Sequence, residues 1–280
     1  MMLARKTQKM NDKKPDKTKP AATILLLRDV ADHLEVLMIV RSDKMHFQSA
    51  LVFPGGKIDD SDNDPDLAPY IGGAEGLSPK QRATRVGAIR EAFEEAGILL
   101  ARPRDGDTLV DAARLKDLRP RYRKDLFEGK ISLREMAEKE NLVFACDQLV
   151  HFAHWIPPAH VPVRFDTHFY VARAPEDQLS IHDGTETVET LWIDPADAIA
   201  EADAGKRTLV FPTRMNVLKL GRNRNVEEAL DRTRNAKVVT VQPVLEERPE
   251  GKVLCIPAEA DYDVTEIAFD KVPRANFPGA

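Results

Sequence analysis

The segment that most constrains the fold runs from residue 79 to residue 98, because it predicts a long helix carrying three crowded glutamates. Ser78 suits the N-cap, Pro79 the first helical position and Gln81 the reciprocal capping position. Gly97 suits the helix end, since glycine tolerates the left-handed conformation just past a helix. The apolar stripe expected to face a core comprises Ala88, Ile89, Ala92, Phe93 and Ala96.

Glu91, Glu94 and Glu95 fall on a neighbouring face of this helix, because residues three and four positions apart meet. Like charges so placed repel by about 0.2–0.5 kcal/mol, and carboxylates in a last turn oppose the helix dipole. Arg90 offsets part of the repulsion for Glu94. The cluster is either a solvated acidic face or a set of oxygen ligands for a divalent cation. Oxygen ligands favour Mg²⁺ or Mn²⁺ over zinc.

Two motifs resemble one known signature. Residues 90–98, R-E-A-F-E-E-A-G-I, match the second half of G-x5-E-x7-R-E-U-x-E-E-x-G-U at every fixed position, where U is apolar. Residues 53–56, F-P-G-G, match the strand end and turn that open it. The chain therefore resembles the Nudix hydrolases. The resemblance implies an α/β fold, an α/β/α sandwich with a mixed β-sheet and helical insertions. The metal ligands that it implies are the Gly56 carbonyl, Glu91, Glu94 and Glu95.

The signature is interrupted in this chain. Gly56 and Arg90 are 34 positions apart (90 − 56), against 14 in the family pattern, so about 20 residues are inserted. The inserted segment, residues 57–78, is rich in Asp, Pro and Gly and is expected to form a loop. The first glutamate of the pattern falls on Arg82, so its role does not transfer. The signature is called the Nudix box, and residues 57–78 are therefore the box insertion. A box interrupted in this way resembles the branch that includes peroxisomal coenzyme A and acyl-coenzyme A diphosphatases.

Other residues are candidates for the substrate and the general base. Arg41 ends an apolar strand and is either solvated or a phosphate ligand, for which the guanidinium fork is suited. Arg164 is a second candidate for anionic groups of the substrate, with a structural salt bridge as the alternative. Many Nudix hydrolases supply a further glutamate from a late loop, and Glu186 is the first choice here, ahead of Glu189. His168 is interpreted as structural rather than catalytic.

The chain divides into a basic tail expected to be disordered, residues 1–20, a single domain, residues 21–260, and a C-terminal tail, residues 261–280. Residues 102–148 form an insertion that reads as helical from about residue 107. Its apolar faces either pack against the domain or help to wall an acyl or pantetheine site.

The hydrophobic pattern predicts a series of further elements. The expected strands are residues 22–27, 34–40, 51–53, 149–156, 164–171, 188–193, 238–244 and 253–256, and the expected helices start at 194–195 and cover 211–220 and 226–234.

Composition restricts the partners. A net charge of −5 gives no reason to expect nucleic acid. Two cysteines, Cys146 and Cys255, cannot form a disulfide framework. No apolar run reaches the roughly 18 residues that a membrane span requires. Without a signal peptide or a Ser-Lys-Leu ending, a cytoplasmic protein is expected. The sequence is compatible with a homodimer and leaves the assembly state open.

The resemblance implies hydrolysis of a pyrophosphate bond in a small nucleotide substrate. Mg²⁺ or Mn²⁺ held by Glu91, Glu94 and Glu95 would activate water, with Arg90 positioning the carboxylates. The first hypothesis is coenzyme A or acyl-coenzyme A, cleaved to (acyl-)phosphopantetheine and adenosine 3′,5′-bisphosphate. The alternatives are ADP-ribose, NADH, a nucleotide sugar or a dinucleoside polyphosphate, and, from another class, a non-catalytic nucleotide-sensing module.

Overall fold

The computed structural model describes residues 18–42, 49–158, 164–180 and 189–272. Its strands are β1 (Lys19–Val30), β2 (His33–Ser42), β3 (Ser49–Val52), β4 (Gly55–Lys57), β5 (Ile71–Gly72), β6 (Ala101–Pro103), β7 (Leu142–Ala145), β8 (Val150–Trp155), β9 (Phe165–Arg173), β10 (Glu189–Ile193), β11 (Arg207–Thr208), β12 (Thr240–Val241), β13 (Val244–Arg248), β14 (Gly251–Cys255) and β15 (Glu266–Ala268). Its α-helices are α1 (Pro79–Ala96), α2 (Ala112–Leu118), α3 (Lys124–Phe127), α4 (Leu133–Glu140), α5 (Pro195–Asp203), α6 (Phe211–Leu220) and α7 (Val226–Asn235).

The largest sheet in the described ranges has nine strands and is mixed. Seven strands follow the order β11-β3-β2-β1-β9-β8-β12, while β10 pairs with β2 and β4 with β1. β1 runs antiparallel to β2, with Leu27 opposite Val36, which confirms the predicted hairpin. β1 also runs parallel to β9 along nine residue pairs. β1 is therefore a central strand, and it borders both β4 and β9 near its start.

Side chains of β1 alternate between two cores, as the period of a strand requires. Ile24 and Leu26 pack in the core beneath α1. Leu25 and Leu27 pack in the other core, which also contains side chains of α5, α6 and α7. Both faces of the sheet are therefore covered by helices. This arrangement confirms the α/β/α sandwich that the resemblance implied.

Helix α1 has the bounds and the caps that the sequence predicts. The Ser78 hydroxyl accepts a hydrogen bond from the Gln81 amide, and the Gln81 side chain accepts one from the Ser78 amide. Gly97 ends the helix with φ 66°. The predicted apolar stripe is buried. α1 packs on β1 and β4, which brings its last two turns against the Gly55-Gly56 turn.

The insertion after α1 is not wholly helical, so that part of the prediction is wrong. α2, α3 and α4 are present, but residues 142–145 form β7, which pairs with β5 from the box insertion and with β6. A short apolar run does not distinguish a strand from a helix by its period. Pairing with β5 gives residues 142–145 their strand conformation, and β5 lies about 70 residues away in the sequence (142 − 71).

The C-terminal part also differs from the prediction. The expected strand 238–244 is split into β12 and the first residue of β13, because Pro243 cannot donate to a ladder. Residues 261–272 are not a separate tail: β15 pairs with β14, and Tyr262 and Val272 are buried in the second core. The predicted basic tail lies outside the described residues up to residue 17. Among the described helices, none combines the length and apolar character that a bilayer span needs.

Candidate active site

Arg90 draws the acidic side chains of the site together. Its guanidinium donates to Asp62 Oδ1 at 3.0 Å, to Glu91 Oε1 at 3.0 Å and to Glu94 Oε2 at 3.1 Å. Its Nη2 also donates to the main-chain carbonyl of Lys57 at 2.8 Å. Arg90 is buried. The contacts fix the orientation of both glutamates, as an outer-shell residue of a metal site would.

Asp62 belongs to this network, although the sequence pattern did not single it out. It comes from the box insertion, is 2% exposed and also accepts from the Asp59 amide at 2.9 Å. Gly87 leaves space for it, since a Cβ at Gly87 would lie 3.0 Å from Asp62 Oδ2. The only signal in the sequence was indirect: Arg82 stands where the pattern has its first glutamate, and the buried guanidinium of Arg90 requires anionic partners. The insertion supplies one of these partners.

Glu91 and Glu94 lie where charge is costly. Burial raises the pKa of Glu91 from 4.5 to about 7, against the opposing effect of Arg90, with Glu94 and Glu95 adding to the rise. Burial likewise raises the pKa of Glu94 to about 7, again against Arg90. Glu94 Oε1 is buried, and no described group forms a hydrogen bond with it. A divalent cation fits this site, because it would satisfy the free oxygen and stabilise both carboxylates in their charged form.

Glu95 and Arg41, predicted as metal ligand and substrate ligand, contact each other. Arg41 Nη2 donates to Glu95 Oε1 at 2.7 Å, and the Gly55 amide donates to Glu95 Oε2 at 3.0 Å. Both oxygens of Glu95 are therefore partnered. Among the described residues, the three glutamates do not form a set of potential metal ligands whose ligand atoms all lie within 4.8 Å of one another. Ligation by Glu95 would compete with its hydrogen bonds from Arg41 and from the Gly55 amide.

Two arginines of the helical insertion, residues 102–148, offset the concentration of negative charge at the end of α1. Arg123 donates to the main-chain carbonyls of Glu94 and Glu95, at 2.9 Å each. Arg119 donates to the Gly97 carbonyl at 2.7 Å. A helix leaves the carbonyls of its last turn, such as those of Glu94 and Glu95, without a partner in the helix. Cations at this end interact favourably with the negative end of the helix dipole. The insertion thereby offsets the unfavourable position of the glutamates.

Gly56 is required by close packing against the carboxylates. A Cβ at Gly56 would lie 2.4 Å from Glu91 Oε1. A Cβ at Gly55 would meet the Ala22 carbonyl at 2.7 Å. Neither position has room for a side chain, which explains the two glycines in the motif. Gly56 and Glu91 are thus in close contact, and their predicted role as metal ligands stays a prediction.

Two adjoining cavities open at this point. One, of about 800 Å³, is lined by Arg90 and the three glutamates, and also by Leu126 and Phe127 of α3. The other, of about 390 Å³, is lined by aromatic and apolar residues, among them Phe53, Trp155, Phe169 and Phe211. The residues that line both cavities are Thr23, Arg41, Gly55 and Thr167. An acidic site therefore adjoins an aromatic one.

The remaining candidates are not among the described residues that line these two cavities. Arg164 is buried and its Nε donates to the Pro157 carbonyl at 2.8 Å; it is not among the described residues that line either cavity. Glu186 lies outside the described residues. Glu189 is exposed and begins β10 opposite Val40. Substrate binding by Arg164 and a base at Glu186 or Glu189 thus remain predictions.

Comparison with known proteins gives one family. The sequence matches the NUDT19 Nudix domain over residues 71–220. It is 26% identical over 211 residues to the acyl-coenzyme A diphosphatase NUDT19 of Xenopus laevis, covering 61% of this chain and 56% of that protein. It is 28% identical over 215 residues to the protein of the same name from Gallus gallus, covering 59% and 55%. The chain thus spans about half the length of these curated relatives.

The structure gives the same result. A NUDIX hydrolase from Alicyclobacillus acidocaldarius superimposes with a TM-score of 0.60 at 26% identity, covering 78% of this chain and 97% of that one. The family match covers more than half of the chain. It includes Arg90 and the three glutamates that line the larger cavity. The protein described here is therefore a member of the Nudix hydrolase superfamily and carries a NUDT19 Nudix domain.

Proposed function

We propose that this protein is a divalent-metal-dependent pyrophosphatase that cleaves coenzyme A or acyl-coenzyme A to (acyl-)phosphopantetheine and adenosine 3′,5′-bisphosphate. The observation that carries the proposal is the buried pair Glu91 and Glu94, with an unpartnered carboxylate oxygen, beside an aromatic cavity. The name of the NUDT19 relatives supports the choice of substrate.

Glu91, Glu94 and the Gly56 carbonyl would hold Mg²⁺ or Mn²⁺, joined by Glu95 when it leaves Arg41. The bound ion supplies neutralisation of the pyrophosphate charge and activation of water. Arg90 keeps Glu91 and Glu94 oriented through its two hydrogen bonds. Both carboxyls must be charged to bind the ion, so ion binding releases the protons that burial retains near neutral pH.

Arg41 is suited to bind the substrate. It lines both cavities, and more than half of its side chain is exposed. If Glu95 turned to a bound ion, the guanidinium of Arg41 would be available for a phosphate oxygen at the junction of the cavities. One conformational exchange would thus complete the metal site and create an anion site.

The two cavities suit the two ends of the substrate. Trp155, Phe169 and Phe211 offer aromatic surface on which an adenine ring can stack. Leu126 and Phe127 of α3 offer apolar surface to the pantetheine arm and an acyl chain. The pyrophosphate between these ends would lie at the shared residues beside the glutamates.

A substrate panel tests the proposal. Coenzyme A, acyl-coenzyme A, ADP-ribose, NADH, a nucleotide sugar and a dinucleoside polyphosphate are incubated with Mg²⁺ or Mn²⁺, and the products are identified by mass. We expect coenzyme A or its acyl form to give the highest kcat/KM. Glu94→Gln should lower kcat by more than the roughly 10–100-fold that is typically lost when a residue that only positions a metal ligand is replaced. Glu138→Gln, at an exposed position of α4, is the matched control.

Three results would contradict the proposal. Cleavage of ADP-ribose or another panel member with coenzyme A left intact would assign the same chemistry to a different substrate. Binding of nucleotides without hydrolysis of any of them would support the sensing module instead. Equal turnover by Glu94→Gln and the unmodified protein would remove the metal-site assignment.

A further inference from the structure

A second group of potential metal ligands lies on the sheet, away from the glutamates. β8 and β9 are antiparallel neighbours, and His154 stands directly opposite His168. Asp166 is two residues before His168, so its side chain points to the same face of the sheet. The three side chains present one ligand atom each, and these atoms all lie within 4.8 Å of one another.

One nitrogen in this group has no partner. His168 is 9% exposed, and no described group forms a hydrogen bond with its buried Nε2. This atom faces Asp166 Oδ1 at 3.9 Å, beyond hydrogen-bond distance. His154 Nε2 contacts the same Asp166 oxygen. Two imidazole nitrogens and one carboxylate oxygen thus lie together, one of the nitrogens without a hydrogen-bond partner among the described residues.

The opposite edges of these ligands are held by other residues. His154 Nδ1 is 2.8 Å from Thr240 Oγ1, and His168 Nδ1 is 3.1 Å from His151 Nε2. Lys80 Nζ donates to Asp166 Oδ2 at 2.7 Å, which leaves Oδ1 for the group. Metal-binding histidines are commonly fixed through their second ring nitrogen in this way.

The protonation of the group suits a cation. Burial lowers the pKa of His168 to about 3, so this imidazole is neutral at physiological pH. Burial would raise the pKa of Asp166, but hydrogen bonds from His154 and Lys80 bring it below its usual value. Neutral imidazole and ionised carboxylate are the forms that bind metals.

We propose that His154 Nε2, His168 Nε2 and Asp166 Oδ1 form a second metal site, for a transition ion such as Zn²⁺. Two imidazoles and one carboxylate match the ligands that Zn²⁺ takes at roughly 2.0–2.2 Å, whereas Mg²⁺ prefers oxygen ligands. The rings of His154 and His168 are now stacked with their centroids 4.1 Å apart. Binding would require them to tilt out of the parallel arrangement, and the ring proton of His154 to sit on Nδ1, facing Thr240 Oγ1, so that Nε2 is available to the ion.

This site is distinct from the glutamate site but close to it. Gly56 and His168 both pair with Ala22, from opposite sides of β1. The backbones of Gly56 and His168 are therefore two strand spacings apart, roughly 10 Å. Thr167, between Asp166 and His168, lines both cavities on the opposite face of the sheet. A bound ion would fasten β8 to β9 at the segment that forms this wall.

Calorimetric titration with Zn²⁺ tests the proposal without relying on activity. The full chain carrying Glu91→Gln and Glu94→Gln, which removes the glutamate site, is titrated in excess Mg²⁺. We expect one equivalent of Zn²⁺ to bind, and adding His168→Ala or Asp166→Asn to weaken it at least about tenfold. His33→Ala is the control, because His33 also lies beside two carboxylates but on the surface. Circular dichroism verifies that each variant is folded.

A second readout is independent of stoichiometry. Zn²⁺ should raise the Tm of the double glutamine variant and leave that of the His168→Ala derivative unchanged, since an ion that binds only the folded state stabilises it. Co²⁺ should give the visible absorption spectrum of an ion with nitrogen ligands, and this spectrum should be absent from the His168→Ala derivative. No Zn²⁺ binding, or binding lost with His33→Ala and retained with His168→Ala, would overturn the proposal.

Discussion

At the scale of single residues, the site depends on one buried cation surrounded by more acidic groups than it can neutralise. Arg90 contacts Asp62, Glu91 and Glu94 within 3.1 Å. Asp62 has two oxygens bonded to the guanidinium, whereas Glu94 has one oxygen without a partner. Asp62 therefore acts as the structural partner of Arg90, and the surplus charge of the glutamates remains for a metal.

Asp62→Asn should destabilise the protein and impair catalysis together. The substitution leaves the buried guanidinium of Arg90 without its two-oxygen partner, at a cost of about 3 kcal/mol in the free energy of unfolding. Activity should fall as well, because Arg90 positions Glu91 and Glu94. Urea denaturation and steady-state kinetics measure both effects. Asp60→Asn, exposed in the same turn, is the control. Equal effects of the two substitutions would contradict this role of Asp62.

At the scale of elements, the box insertion and the helical insertion both serve α1. The first delivers Asp62 to Arg90, and the second delivers Arg119 and Arg123 to the last carbonyls of the helix. The second also places Phe127 in the wall of the larger cavity, where 70% of its surface is exposed. A large exposed apolar side chain beside a cavity commonly marks a binding surface.

Phe127→Ala should affect substrate selection without affecting stability. Removal of this ring should lower kcat/KM for a long-chain acyl-coenzyme A by roughly 3- to 10-fold and leave free coenzyme A nearly unchanged. The free energy of unfolding should change by less than about 0.5 kcal/mol, as for other surface positions. Val244→Ala, exposed on β13, is the control. An equal loss for both substrates would mean that α3 does not contact the acyl chain.

The sequence predicts an element well when the contacts that stabilise it are local in the chain, and poorly when they are distant. α1 was predictable to the residue because Ser78, Gln81 and Gly97 act within one helix turn of its ends. β7 was not, because its strand state depends on β5 and β6. The glutamates and Gly56 were found through the motif. The role of Asp62 was not, because it depends on how an inserted loop folds over α1.

At the scale of the whole molecule, the site should cost stability until a metal binds. Glu91 and Glu94 have pKa values of about 7 in the folded state and about 4.5 when unfolded. The folded state therefore binds more protons than the unfolded state between these values. Their contribution to stability is most favourable below pH 4.5 and is lost as the pH rises toward 7, by roughly 3 kcal/mol per group at most.

Metal-free Glu94→Gln should therefore be more stable than the unmodified protein at pH 8, and the difference should shrink toward pH 5. Guanidinium denaturation at several pH values, with a chelator present, measures it. Comparing the two proteins at each pH removes the contribution of other titrating groups. A variant less stable than the unmodified protein at pH 8 would show that the carboxylate stabilises the metal-free fold.

The most direct test of the central claim is Mn²⁺ binding measured by electron paramagnetic resonance of the unmodified protein and of Glu91→Gln with Glu94→Gln. The account predicts that the unmodified protein removes free Mn²⁺ from solution, more strongly at pH 8 than at pH 6, because the ion displaces protons from both carboxyls. It predicts that the double variant, though folded, leaves the free Mn²⁺ signal nearly undiminished. Equal uptake of Mn²⁺ by the two proteins would contradict it.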